Sequence, residues 1–87
     1  MEESHKPQNH WVKGYLVQTA ETAFGDIVAT IIRADRMVAL TFRKGEFVDL
    51  IVGSPELGAN ATEEELAALK YAATALHEPQ HAHVTEL

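Results

Sequence analysis

The stretch GDIVATIIRADRMVALTFRKGEFVDLIVGS, residues 25 to 54, constrains the fold more than any other part of this 87-residue chain. It is rich in Val, Ile, Phe and Thr, the residues that fit a pleated surface, and it is interrupted at RADR and RKGE. That pattern predicts three strands, Ile27–Arg33, Met37–Arg43 and Glu46–Val52, joined by two tight turns. Lys44-Gly45 suits a two-residue hairpin because glycine takes a positive φ without steric cost.

Each turn predicts a register. Across Ala34-Asp35, Ile31 faces Val38, Ala29 faces Leu40 and Ile27 faces Phe42. Across Lys44-Gly45, Phe42 faces Phe47, Leu40 faces Asp49 and Val38 faces Ile51. Both turns then assign Ile27, Ala29, Ile31, Val38, Leu40, Phe42, Phe47 and Ile51 to one face, an agreement expected of a correct register. The other face receives Val28, Ile32, Met37, Val48, Leu50 and Val52, among Thr30, Ala39 and Thr41. It is too apolar for an ordinary wet face.

Upstream, Trp11–Thr19 (WVKGYLVQT) reads as one further strand, weakened or bulged at Gly14, and Phe24 is expected to plug a core edge. Downstream, Thr62–Glu65 has the form of a capping box, with three glutamates in the first turn to suit the helix dipole. Leu66, Leu69, Ala73 and Leu76 follow at helical steps, Ala68, Ala72 and Ala75 widen the stripe with small side chains, and Pro79 stops the helix near His77. The expected fold is α+β, a four-stranded antiparallel β-meander followed by one C-terminal helix packed on one sheet face. Residues 1–10 are expected as a disordered lead, 11–78 as a single domain and 79–87 as a flexible histidine-bearing tail.

Composition bears on what such a domain does. With 46% apolar and 23% charged residues the chain is ordinary for one globular unit, but a domain this small buries a thin core and needs good packing, a metal or self-association. It has no cysteine, so disulfides and thiolate zinc sites are excluded. MEESHKPQNH has no apolar targeting segment, no run reaches membrane-spanning length, and a cytoplasmic protein is expected. A net charge of −6 opposes binding to nucleic acid or anionic membrane, both of which repel an acidic surface.

The chemistry-bearing residues are few. His77, His81 and His83 are the candidate metal ligands, three imidazoles able to converge on zinc or nickel, although a tail offers little to hold them rigid and adventitious binding is the plainer expectation. GSPELGAN, Gly53 to Asn60, has the glycine spacing of a phosphate loop, but Ala59 stands where that loop needs lysine. Asp49 falls on the apolar face in the register above, where an unpaired carboxylate is costly. It is therefore a candidate ligand anchor, together with Trp11 and Tyr15 as stacking residues. Arg33 with Arg36, and Arg43 with Lys44, are candidate anion contacts. Ser54 lacks a glycine-flanked elbow and a nearby base, so no catalytic centre can be assembled.

The expected function is that of a small acidic protein-interaction module. It self-associates as a homo-oligomer, or binds another protein, through the second apolar sheet face or the alanine-rich helix side, with Val28, Ile32, Met37, Val48, Leu50, Val52, Ala68 and Ala75 as contact residues. The alternative is a small-molecule or metal-binding protein using a sheet–helix pocket near Asp49 or the histidine cluster.

Overall fold

The computed structural model describes residues 6–79, and it is α+β. Five strands, β1 (Gln8–Val12), β2 (Tyr15–Glu21), β3 (Ile27–Ile32), β4 (Met37–Arg43) and β5 (Glu46–Gly53), form one antiparallel meander in chain order. Helix α1 (Glu63–Tyr71) follows and continues into a π-helical turn, Ala72–Leu76.

The fifth strand arises because the expected Trp11–Thr19 segment is folded in half. Lys13 and Gly14 both take positive φ, 52° and 84°, and Lys44 and Gly45 do the same at 54° and 82°. Gly14 is thus the second residue of a hairpin turn rather than a weak point in a strand. Val12 pairs with Tyr15 across this turn and Gln8 pairs with Thr19 at the far end. Gln8, Asn9 and His10, expected in a disordered lead, belong to the sheet.

The β3–β4 register is the expected one, with Ile31 on Val38, Ala29 on Leu40 and Ile27 on Phe42. The β4–β5 register begins as expected, with Phe42 on Phe47, and then slips, because Thr41 pairs with Asp49 and Val48 becomes an extra residue. A one-residue bulge exchanges the faces of everything beyond it. Leu40 therefore meets Leu50 and Val38 meets Val52 on the helix side, while Asp49 and Ile51 turn to the outer side. The cost of burying Asp49 is avoided, and its carboxylate accepts a hydrogen bond from the Leu50 N–H at 2.9 Å.

The core lies between the helix and the middle of the sheet. Val12, Val17, Ala29, Ile31, Val38, Leu40 and Phe42 meet Ala68, Leu69, Ala72 and Ala73, all buried. Alanines here let the helix backbone settle close to the strands, so Ala68, expected at an interface with a partner, is consumed by the chain's own core; Ala75 is exposed. The capping box forms as read: Thr62 Oγ1 accepts from the Glu65 N–H at 3.1 Å, and Glu65 Oε1 accepts from the Thr62 N–H at 2.9 Å. Phe24 plugs nothing, being 91% exposed at the tip of the β2–β3 turn.

Candidate functional site: the uncovered sheet face and its surroundings

Strand alternation gives the outer face three rows. The first holds Trp11 beside Leu16, then Ile32 beside Met37 and Gly53. The second runs Asn9, Gln18, Thr30, Ala39 and Ile51, and the third Ala20, Val28, Thr41 and Asp49. Every residue of these rows is exposed or half-buried and none is buried. Trp11 is 74% exposed, Ile32 66% and Ile51 52%, with Leu16 also exposed. Among the described residues, the strands β1 to β3 put no charged side chain on this face; β4 and β5 add Asp49 and, paired at one corner, Arg43 and Glu46.

Of the expected contact residues, Val28, Ile32 and Met37 stand on this face. Val48 is exposed at the bulge, and the bulge moves Leu50 and Val52 to the helix side. Trp11 and Tyr15 do not form a stacking pair. Trp11 points outward, whereas Tyr15 lies on the helix side, with the Arg33 guanidinium 4.9 Å from its ring centroid.

On the helix side the cover ends at β4. Beyond it, Leu40, Phe42, Phe47, Leu50 and Leu66 line an apolar cleft of about 280 Å³, with Lys70 at its rim. This is a sheet–helix pocket, but Asp49 is not part of it.

Arg36 and Arg43 are each paired with a carboxylate of the chain. Arg36 donates through Nε to Glu65 Oε2 at 3.0 Å and through Nη2 to Glu65 Oε1 at 2.8 Å, and it also reaches the Asn60 carbonyl at 2.6 Å. The Arg36 guanidinium, aided by the Thr62 N–H and opposed by burial, lowers the Glu65 carboxyl to about 2. Arg43 forms a two-pronged pair with Asp26 at 3.0 Å on each arm, and its hydrogen bonds hold the Asp26 carboxyl below the usual carboxylate range. Of the expected anion contacts, Arg36 and Arg43 are thus held in pairs within the chain, and Arg33 lies over the Tyr15 ring.

His77 has an unexpected place. Its side chain is 1% exposed, with Nδ1 2.7 Å from Thr19 Oγ1 and Nε2 3.4 Å from Glu21 Oε2. The same Thr19 hydroxyl lies 2.8 Å from His10 Nε2. Burial pushes the His10 imidazole below its ordinary value, the neighbouring His77 adds to that and Glu78 opposes it. Both ring nitrogens of His77 are engaged, so it has no free lone pair for a metal. His81 and His83 lie outside the described residues, and among the described residues no three His, Asp or Glu side chains are grouped to hold an ion.

Glu21, His77 and Thr19 are aligned like an orienting acid, a base and a hydroxyl nucleophile. Thr19, however, has no exposed surface, and the cleft beside β5 does not reach it. A hydroxyl sealed from solvent attacks no substrate, and the trio serves the fold. Sequence reasoning missed it because Thr19 was placed at a strand end and His10 outside the sheet. The one available signal was the second Lys-Gly dipeptide, which brings His10 and Thr19 onto neighbouring strands.

No protein-family model, curated protein or solved structure matches this chain. Among the described residues no helix is long and apolar enough to cross a membrane.

Proposed function

We propose that this chain is a small protein-interaction module that self-associates by stacking the outer faces of two sheets. The observation that carries the reading is the uncovered row Trp11, Leu16, Ile32 and Met37 on a face almost free of charge. A chain of net charge −6 resists meeting its own copy, and this face is where two copies can meet with few like charges opposed.

The dimensions suit that role. Five strands about 4.8 Å apart and roughly 20 Å long present on the order of 500 Å² in projection. Side-chain relief brings that toward the roughly 800 Å² each partner of a stable complex covers. Two such sheets stack about 10 Å apart, side chains interleaved, as in a sandwich. The second copy adds apolar cover that a thin single-domain core lacks. The reading places the module in the cytoplasm, away from phosphate-bearing surfaces that its charge repels.

Native mass spectrometry of the untagged protein, paired with Ile32→Asp, tests this directly. The parent is expected as two copies, and Ile32→Asp as one copy whose thermal unfolding stays cooperative. A monomeric parent at tens of micromolar protein, or a variant of unchanged mass, overturns it.

A further inference from the structure

We propose that the chain His10–Thr19–His77–Glu21 is a proton-controlled latch that holds the end of the helix against β1 and β2 near neutral pH and lets go on acidification. The argument begins with counting hydrogens. Thr19 Oγ1 carries a single hydrogen and lies within hydrogen-bond distance of two imidazole nitrogens, at 2.8 Å and 2.7 Å. One imidazole must accept from the hydroxyl and the other must donate to it.

The Glu21 carboxylate settles the direction. It only accepts, so it selects the Nε2–H form of His77 and leaves Nδ1 as the acceptor. Thr19 then donates to His77 Nδ1, and His10 Nε2–H donates to Thr19. With both rings neutral every member is satisfied, as a buried network requires. A charge on both rings cannot be accommodated. Two imidazoliums would aim their N–H groups at one oxygen, and the Thr19 hydrogen would lose its acceptor.

Among the described residues, the chargeable groups on the packed elements are His10 on β1, Glu21 on β2, and His77 and Glu78 after the π-helical turn. On this side β3 presents only Ile27, Ala29 and Ile31. The lowered value of His10 has a definite sign. The latched state binds fewer protons than the released one, so latching is strongest above the ordinary histidine value of 6.5 and is lost as pH falls from there through the folded value.

The latch controls a real attachment. His77 N–H closes the wide last turn onto the Ala72 carbonyl at 2.8 Å; Ala72, Ala73 and Leu76 pack on the core, and beyond them the end of the segment has a second polar tie, the exposed Gln8 amide, which exchanges two hydrogen bonds with the Glu78 backbone at 2.8 Å and 2.9 Å. One tie is neutral and indifferent to pH. The other is buried and titratable.

Amide hydrogen exchange on the full chain between pH 7.5 and 5, corrected for the intrinsic pH dependence of exchange, is the test. Opening of residues 76–78 is expected to rise by up to about tenfold per pH unit below 6.5, while β3 and β4 hold their protection. His10→Gln keeps a donor for Thr19 but cannot titrate, and is expected to flatten that slope. Thr19→Ser, which keeps the hydroxyl, is expected to preserve it. Nitrogen NMR of the parent at pH 7.5 should show His77 protonated at Nε2 and bare at Nδ1. A pH-independent opening, an unchanged slope in His10→Gln, or a hydrogen on Nδ1 of neutral His77 overturns the latch.

Discussion

The two faces of this sheet are made by the same strands, yet one is sealed and the other bare. Under the helix, Val17, Ala29, Val38 and Leu40 are buried against Ala68, Leu69, Ala72 and Ala73. On the outside, Trp11, Leu16, Ile32 and Ile51 stand in the open. Apolar character does not separate them. The difference is the availability of a cover, since one helix of nine residues and a further turn can lie on one face only. The sealed face reports how the chain stays folded, and the bare face is the one on which the proposed self-association rests.

Substitutions should divide along the same line. The largest effect is expected at Leu69, fully buried where the helix meets the sheet. Leu69→Ala should cost about 2–5 kcal/mol by removing hydrocarbon and leaving a cavity, read as a lowered urea midpoint. An equally large loss for Leu16→Ala measured below the dissociation concentration would erase the distinction between the faces.

The next effect belongs to Glu65, buried at the helix start and receiving hydrogen bonds from Arg36 and from the Thr62 backbone. Glu65→Gln should cost roughly 1–3 kcal/mol, because it weakens charge-assisted bonds to a buried group. The parent should also carry an acid-sensitive increment of stability. The folded carboxyl is lowered from 4.5 to about 2, so the increment is complete above pH 4.5 and is lost as pH falls through about 2. Urea titrations at pH 6, 4 and 2.5 on parent and variant should converge toward the acid end; parallel curves would show that the Arg36 clamp adds nothing.

How much of this was legible depended on how far each local signal reaches. The β3–β4 hairpin was read correctly because its turn and its apolar alternation agree over the whole strand. The capping box was read correctly because it is a contact three residues long. The Lys13-Gly14 turn was passed over although Lys44-Gly45, the same dipeptide, was recognised; WVKGYLVQT has no loop of polar residues to mark the reversal, and two short strands resemble one long one. The latch was invisible because it joins residues 58 positions apart. The outer face was legible in kind but not in membership, since the Val48 bulge exchanges Leu50 and Val52 for Asp49 and Ile51.

The bulge also supplies the smallest effect and the sharpest question. If β4 and β5 ran in unbroken register from Lys44-Gly45, Asp49 would face Leu40 beneath the helix, and replacing it with valine would remove a buried carboxylate and raise stability by well over 1 kcal/mol. With Val48 as the extra residue, Asp49 faces outward opposite Thr41, exposed, and among the described residues bonded only to its neighbour's N–H. Asp49→Val should then change monomer stability by less than about 0.5 kcal/mol, as exposed strand positions do. The same substitution removes the one charge in the body of the outer face, so it should tighten self-association. A urea midpoint that hardly moves, together with a dissociation constant that falls, locates Asp49 on the bare face; a large rise in the midpoint would return it to the sealed one.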